Sequence, residues 1–249
     1  MTTRAPSRSV RLASLTLGAV LSLALLPGSA AGARSFTFEV GKRADFVPQT
    51  NFVQCVGASM QMMLNMIEPG RDRSAKTQVR LQRLARRWSG TRPDGVTRKG
   101  ASVRGWTTGL NILDAGPYRL VGTKTLRGAM LTAARAIRQT GKPVGLLVWR
   151  GRHAWVMSGF RATGDPLFDD DVRITHAMVF DPLYPHGNSI WGRSPRPGEA
   201  LTPSELGRQF VKRQNRFRWP MSQSIGLGGR YVLVLPYLPE HATDGARHF

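Results

Sequence analysis

Cysteine and acidic residues are both scarce in this chain. One cysteine occurs among 249 residues, which excludes an intramolecular disulfide framework and any zinc or iron–sulfur site built from several cysteines. The chain has 15 Asp and Glu residues but 36 Lys and Arg residues, so its formal net charge is +21. Such an excess indicates anionic surroundings but does not indicate a fold. A hydrophobic content of 41% with six Trp excludes a disordered chain, and the length suits a single domain.

Long hydrophobic runs are absent except near the N-terminus. There, basic residues precede an apolar run from Leu12 to Leu26. At about fifteen residues this run is shorter than the roughly 20 that cross a membrane, and it is followed by an A-x-A cleavage pattern ending at Ala33. The pattern predicts a signal peptide over residues 1–33 and a secreted, extracellular mature chain without a transmembrane domain. A retained signal anchor is the alternative.

The positive charge persists after removal of this leader. Its three arginines lower the formal charge from +21 to about +18 when they are cleaved off. One interpretation is attraction of the protein to anionic cell-wall or surface polymers, and the other is a composition biased towards arginine. Nucleic acid is not predicted as a partner, because no recognisable binding motif accompanies the charge.

Residues 34–249 form one predicted domain in which helical patterns come first and strand patterns second. Helical spacing of apolar residues predicts helices over 55–67, 75–88, 103–113, 126–139 and 203–213. Buried or alternating apolar runs predict strands over 35–40, 144–149, 153–160, 172–180 and 230–238. A tight turn at Gly151 joins two of these strands in a hairpin. The order predicts an α+β fold, with N-terminal helices packed on an antiparallel sheet.

The single cysteine, Cys55, begins the first predicted helix. The exposed N–H groups and the dipole at a helix N-terminus favour a thiolate over a thiol. An imidazole can complete the activation, and a third group can orient that imidazole through its other ring nitrogen. A hydrogen-bond donor must also face the oxyanion that forms during acyl transfer. Nucleophilic catalysis by Cys55 therefore requires three partners elsewhere in the sequence.

A candidate exists for each of these roles. Gln49, on the loop that enters the helix, can donate to the oxyanion together with the backbone N–H of Cys55. His153 begins the second strand of the hairpin and is the candidate base. Asp181 ends the following strand, where antiparallel pairing can place it beside His153. The candidate catalytic residues are therefore Gln49, Cys55, His153 and Asp181.

Three rival interpretations remain at this point. Gln54 competes with Gln49 as the oxyanion donor, although its position next to Cys55 directs it elsewhere. His176 competes with His153 as the base, but an odd separation along a strand places its side chain and that of Asp181 on opposite faces. The run Asp169–Asp171 lacks the alternating ligands of a calcium loop and is expected to be a solvated acidic turn. No metal or other cofactor is predicted.

In these residues the sequence resembles the papain-like cysteine peptidases of the bacteriocin-leader-processing (double-glycine peptidase-like) type, in their stand-alone exported bacterial form. The matching stretches are QTNFVQCVGASM at 49–60, GRHAWVMSG at 151–159 and VFDP at 179–182. The resemblance spans about residues 45–185. It implies a papain-like fold and hydrolysis of peptide or isopeptide bonds through an acyl-enzyme. In that scheme Cys55 is the nucleophile, and a peptide or protein is the substrate.

The sequence departs from this family in one position of the motif. The family usually has Gly directly after the cysteine, whereas Val56 stands there and Gly57 follows. Val56 is expected to narrow the cleft or to mark a relative without turnover. The alternative function is therefore a non-catalytic module that binds the cell surface or wall on the same fold. A cysteine amidase acting on wall peptides is a third possibility, but such enzymes usually have a second His where Asp181 stands.

Overall fold

The computed structural model divides the chain into two units, Met1–Gly32 and Ala33–Phe249. The predicted signal peptide lies outside the described residues except for its first two positions. The elements described below all belong to the second unit. The structure describes residues 1–2, 35–68, 70, 72–90, 99–214 and 226–239.

Five α-helices lie within the described residues. They are α1 (Cys55–Ile67), α2 (Ala75–Arg87), α3 (Val103–Ile112), α4 (Leu126–Thr140) and α5 (Pro203–Gln209). Helices α2 to α5 each begin after a Ser or Thr whose side-chain oxygen accepts a backbone N–H of the first turn. Helix α1 follows Gln54, which makes no such side-chain cap. None of the helices in the described part of the chain is long and apolar enough to cross a membrane.

Nine strands accompany these helices in the described residues. In chain order they are β1 (Phe36–Glu39), β2 (Tyr118–Thr123), β3 (Val144–Val148), β4 (His153–Ala162), β5 (Ile174–Phe180), β6 (Gly187–Asn188), β7 (Gly192–Arg193), β8 (Glu199–Leu201) and β9 (Tyr231–Pro236). Strands β6 and β7 form a small hairpin of their own. The other seven form one antiparallel sheet in the order β2–β9–β3–β4–β5–β8, with β1 attached to β4.

The long strand β4 organises the centre of the sheet. On one side its first half pairs with β3 and its second half with β1. On its other side it pairs with β5, in a register that places Val156 opposite Phe180. Because the two strands run in opposite directions, the start of β4 and the end of β5 lie at the same end of the sheet. His153 and Asp181 are therefore brought to one place by strand pairing.

Helices cover both faces of this sheet. One core lies between the sheet and α1 to α3, and it contains Met60, Leu81 and Trp106. The second core lies between the sheet and α4 and α5, and it contains Ile137 and Leu206. The strands at the centre of the sheet are covered by apolar residues on both faces. For this reason β3 is a continuous buried run without alternation.

The structure confirms the α+β class and the bounds predicted for α1. It also confirms the β3–β4 hairpin. Two predictions were wrong in detail. The last helix ends at Gln209 rather than at 213, because the backbone of Phe210 turns to an extended conformation. The separation into helices first and sheet second also fails: β1 was predicted as a strand, but β2, which was not, lies among the helices and joins the sheet as well.

Close packing of α1 against α2 depends on Gly57. A Cβ atom at this position would lie 2.7 Å from the carbonyl oxygen of Gln78, a backbone atom that cannot simply rotate away. We therefore expect Gly57→Ala to lower the free energy of unfolding by about 1–3 kcal/mol through overpacking, as measured by urea denaturation. The control is Gly100→Ala, whose Cβ would meet nothing closer than 3.7 Å. Equal stability of the two variants would contradict this account of the packing.

Candidate active site

Cys55 is the first residue of α1, at the helix end that has no side-chain cap. Its side chain is partly exposed and unpaired with any other cysteine, since it is the only one. The first N–H groups of a helix have no acceptor within the helix, so they and the dipole favour negative charge near this thiol. Two contacts fix the start of the helix: Gly57 N donates to Gln82 Oε1 at 2.8 Å, and Ser59 Oγ donates to the carbonyl of Ala154 at 3.2 Å.

His153 and Asp181 form a buried pair at the end of the sheet. His153 Nε2 lies 2.7 Å from Asp181 Oδ1, with the two side chains 4% and 0% exposed. The same carboxylate oxygen accepts the backbone N–H of Leu183 at 2.8 Å, whereas Oδ2 has no partner among the described residues. An N–H from the chain just beyond Asp181 thus holds the carboxylate against the imidazole and limits its rotation.

The side chain of Cys55 is close enough to the imidazole of His153 to raise the pKa of the ring. Because Asp181 occupies Nε2, Nδ1 is the ring nitrogen left for the sulfur. Burial acts to lower the pKa of His153, but hydrogen bonds to Asp181 and Cys55, together with the negative charges of these groups, outweigh it and raise the pKa to about 9. The structure therefore favours a protonated His153 at neutral pH, paired with the Asp181 carboxylate.

Trp149 covers one face of this imidazole. The two rings are stacked with centroids 4.1 Å apart and planes inclined by 24°. The turn from Trp149 to Gly151 has three successive residues with φ between 55° and 93°, a conformation that costs a bulky residue about 1 kcal/mol or more. The Trp149 indole N–H donates to the buried Gln209 Oε1 at 2.9 Å. This hydrogen bond and the ring stacking hold the turn in its strained conformation. They also keep water away from His153.

The sequence offered little to identify Trp149 as part of the site. We predicted it as the last residue of a strand, and the only signal for its role was its place in the turn that ends at Gly151. A second tryptophan, Trp191 of the β6–β7 hairpin, lies parallel to Trp149 at 6.4 Å between centroids. The hairpin is thereby joined to the aromatic cover of the imidazole.

Gln49 lies on the loop that leads to Cys55, as predicted for an oxyanion donor. Its backbone N–H donates to the carbonyl of Pro182 at 2.7 Å, which ties this loop to the residue after Asp181. One side-chain N–H donates to the carbonyl of Asn51 at 2.9 Å, and the second N–H of the amide remains for another acceptor. Its Oε1 atom is buried without a partner among the described residues.

Two buried glutamines of α2 hold this loop, and we did not predict them. Gln78 accepts from the backbone N–H of Thr50 at 2.8 Å and donates to the carbonyl of Pro48 at 2.9 Å. Gln82 donates to the carbonyl of Val53 at 2.9 Å and accepts from Gly57. Their signal in the sequence is a pair of polar residues, four apart, on the apolar face of an amphipathic helix. Both are positioning residues for the segment between Gln49 and Cys55.

The rival residues lie elsewhere or have other partners. The side chain of Gln54 accepts a hydrogen bond from the Thr50 hydroxyl. His176 is opposite Arg161 in the sheet, and its Nδ1 pairs with the hydroxyl of its neighbour Thr175 at 3.2 Å. His153, rather than His176, contacts both Cys55 and Asp181. Asp169–Asp171 is exposed, and the described residues contain no group of three or more His, Cys, Asp or Glu placed to hold a metal ion.

Val56 packs in the core, contrary to the first of our two expectations, that it narrows the cleft. It is 4% exposed and belongs to the core between α1 to α3 and the sheet. On a helix, consecutive residues point in directions about 100° apart, so a buried Val56 is compatible with an accessible Cys55. The residue that needs to be small is Gly57, where α1 approaches α2.

No family model matches the chain, and no curated protein matches it at a significant level. The candidate roles of Cys55, His153 and Asp181 therefore depend on their geometry in this chain.

The raised pKa of His153 makes stability depend on pH. An unfolded histidine has a pKa of about 6.5, so the extra stability is complete below about pH 6.5 and is lost as the pH rises through about 9. We expect the free energy of unfolding to fall by on the order of 1–3 kcal/mol more in the wild type than in His153→Gln across this interval. His176→Gln should behave as the wild type. Parallel pH curves for the wild type and His153→Gln would contradict the assigned pair.

Gln82 and Gln61 provide a matched test of positioning. Both are buried glutamines that bond backbone groups, but Gln61 of α1 binds the carbonyls of Asp72 and Ser74, away from the site. Each change to Ala should lower the free energy of unfolding by about 1–3 kcal/mol by leaving buried polar groups unpaired. Gln82→Ala should in addition slow alkylation of Cys55 by iodoacetamide about tenfold, whereas Gln61→Ala should leave the rate unchanged. Equal alkylation rates would remove the positioning role of Gln82.

Proposed function

We propose that this protein is a secreted cysteine hydrolase of papain-like fold that cleaves peptide or isopeptide bonds. The observation that carries the proposal is the buried His153–Asp181 pair, with the partly exposed thiol of Cys55 beside it at the start of α1. Each group has the partner that acyl transfer by a thiolate requires. The predicted signal peptide supports export. In the exported protein the exposed reactive thiol has no second cysteine in the same chain with which to form a disulfide.

Hydrolysis proceeds in two halves. The Cys55 thiolate attacks the carbonyl carbon, and the negative charge that moves to the carbonyl oxygen is stabilised by the Gln49 amide and the Cys55 N–H. His153 gives its Nδ1 proton to the leaving amine as the C–N bond breaks, which leaves a thioester. His153 then takes a proton from water, whose oxygen attacks the thioester carbon. The acid is released, and the thiolate and imidazolium are restored.

Asp181 and Trp149 act on this cycle through His153. The carboxylate fixes the tautomer and ring orientation and stabilises the imidazolium, without becoming protonated itself. The stacked indole limits access of water to the pair, and the lower local dielectric strengthens both of its hydrogen bonds. They are positioning residues, whereas Cys55, His153 and Gln49 touch the reacting atoms.

A purely structural or binding role explains the burial of the His153–Asp181 pair less well. Removing charges from water costs several kcal/mol per ion, and a hydrophobic residue of similar volume is often as stabilising as a buried ion pair. A module that only binds an anionic surface has no use for an imidazolium at this position. The aspartate also distinguishes the site from the cysteine amidases considered above, which usually use a second histidine.

Exposed apolar residues beside the site favour a substrate with apolar side chains near the scissile bond. Phe52 lies between Gln49 and Cys55 and is 87% exposed, and Ile190 at the tip of the β6–β7 hairpin is 76% exposed. The hairpin contacts the imidazole cover through Trp191. A library of quenched fluorescent peptides should therefore be biased towards apolar residues at these positions.

The decisive experiment uses three variants with such a library. We expect Cys55→Ala to abolish turnover and Asp181→Asn to lower kcat by a factor on the order of 100 to 10,000, because the imidazole loses its orientation. Mass spectrometry of acid-quenched wild type should show the acyl group on Cys55. His176→Gln should retain full activity and serves as the control for histidine loss. Undiminished turnover in Cys55→Ala would overturn the proposal.

A further inference from the structure

Helix α2 carries a row of cations along its exposed face. Lys76, Arg80, Arg83 and Arg87 follow one another at spacings of four, three and four residues, and all four are exposed. Residues three and four apart share one face of a helix with Cβ atoms about 5–6 Å from each other. The row therefore spans about 16 Å along the helix axis, at 1.5 Å per residue.

These cations have no ion-pair partner within the described part of the chain. The ion pairs there join Arg138 to Asp165, His153 to Asp181 and Arg193 to Glu199. Asp72, just before α2, has its pKa lowered mainly by hydrogen bonds from Thr77 and Ser74, and the charge of Arg80 is the weakest contribution.

The arginines of α4, unlike the cations of the row on α2, bind partners in a neighbouring loop. Arg138 of that helix pairs with Asp165, and Arg135 donates to the carbonyl of Pro166 at 2.9 Å. Those cations join their helix to the loop after β4. The row on α2 makes no corresponding link among the described residues.

The row of cations does not stabilise helix α2. Like charges four residues apart repel each other, and Lys76 lies in the first turn, where the helix dipole disfavours a cation. The first turn of α2 contains no acidic residue that would compensate. A general preference for arginine explains the number of cations in the chain, but not their alignment on one helix face without an interspersed carboxylate.

We propose that this face of α2 binds a linear anionic polymer that lies along the helix. Four cations at nearly even spacing match a chain with a regular series of phosphate or carboxylate groups, and release of the counterions from such a chain supplies affinity. A membrane surface fits less well. A helix that binds in a lipid interface inserts its apolar face, whereas the apolar residues of α2, such as Leu81 and Ala85, are buried in the core.

The polymer site is separate from the candidate active site. Gln78 and Gln82 project from the opposite face of α2 towards the segment before Cys55, so the cation row lies on the outer side of the helix. Binding of the polymer therefore does not depend on hydrolysis and would hold the protein at an anionic surface with its cleft free. A failure of the proposed hydrolase activity leaves this inference intact, and the reverse is also true.

Fluorescently labelled inorganic polyphosphate is a suitable probe, titrated with the full chain over a series of salt concentrations. The test variant replaces all four cations of the row: Lys76→Gln, Arg80→Gln, Arg83→Gln and Arg87→Gln. Four lost contacts at the strength of exposed ion pairs should weaken binding about thirtyfold at low salt. The slope of log Kd against log salt should fall by about 3, since each contact contributes about 0.7 for a single-stranded polyanion.

A matched control variant separates this row from net charge. It removes one lysine and three arginines, all exposed, from four other segments: Lys124→Gln, Arg161→Gln, Arg173→Gln and Arg208→Gln. We expect its affinity to remain within about threefold of the wild type. Equal weakening of the two variants would show that only net charge matters and would overturn the proposal.

Two further measurements test whether positive charge alone is sufficient for binding and which kind of partner is bound. A variant with Arg80→Lys, Arg83→Lys and Arg87→Lys keeps the charges and should bind polyphosphate as the wild type does, and its failure to bind would contradict an electrostatic site. Vesicles of phosphatidylcholine and phosphatidylglycerol in equal parts test the membrane alternative. If the fourfold Gln variant lost vesicle binding but kept its affinity for polyphosphate, the row would be a membrane contact and the linear-polymer proposal would fail.

Discussion

The buried pair of His153 and Asp181 is the interaction on which the arrangement of the site depends. An imidazolium and a carboxylate that are almost wholly removed from water must compensate each other and be compensated by their neighbours. The pairing of β4 with β5 brings them together, the N–H of Leu183 holds the carboxylate, and Trp149 covers the ring. The side chain of Cys55 completes the set, because together with Asp181 it raises the pKa of the imidazole.

Cys55 reaches this pair from a different layer of the fold. Helix α1 packs on one face of the sheet, and its register is fixed by Gly57 against α2 and by Ser59 against the carbonyl of Ala154. The loop before α1 is fixed independently, through Gln78 and Gln82 on one side and the Pro182 carbonyl on the other. Helix α1, the sheet and the loop before α1 thus converge on Cys55, so the position of the sulfur relative to the imidazole depends on packing and not on a single contact.

Local patterns were sufficient to predict part of this arrangement. Helical spacing of apolar residues gave the bounds of α1, and the apolar runs on either side of the turn at Gly151 gave the hairpin that contains His153. The proximity of His153 and Asp181 also followed, because adjacent antiparallel strands leave little choice of register. Gln78, Gln82 and Trp149 could not be predicted in the same way. Their roles arise from hydrogen bonds and ring contacts between residues distant in sequence, and the left-handed turn at Trp149 has no signature beyond the glycine that ends it.

The two features of composition that first set this chain apart meet at helix α2. Its buried face determines where the only cysteine lies, through Gln82 and the close approach at Gly57, whereas its exposed face carries part of the excess of positive charge. The two faces lie on opposite sides of a rigid helix. The residues on one face therefore do not determine the positions of the residues on the other. Substitutions of the outer cations can therefore change the attraction to anionic surroundings without moving the thiol. The same independence would allow affinity for a surface and reactivity at Cys55 to vary separately within one small domain.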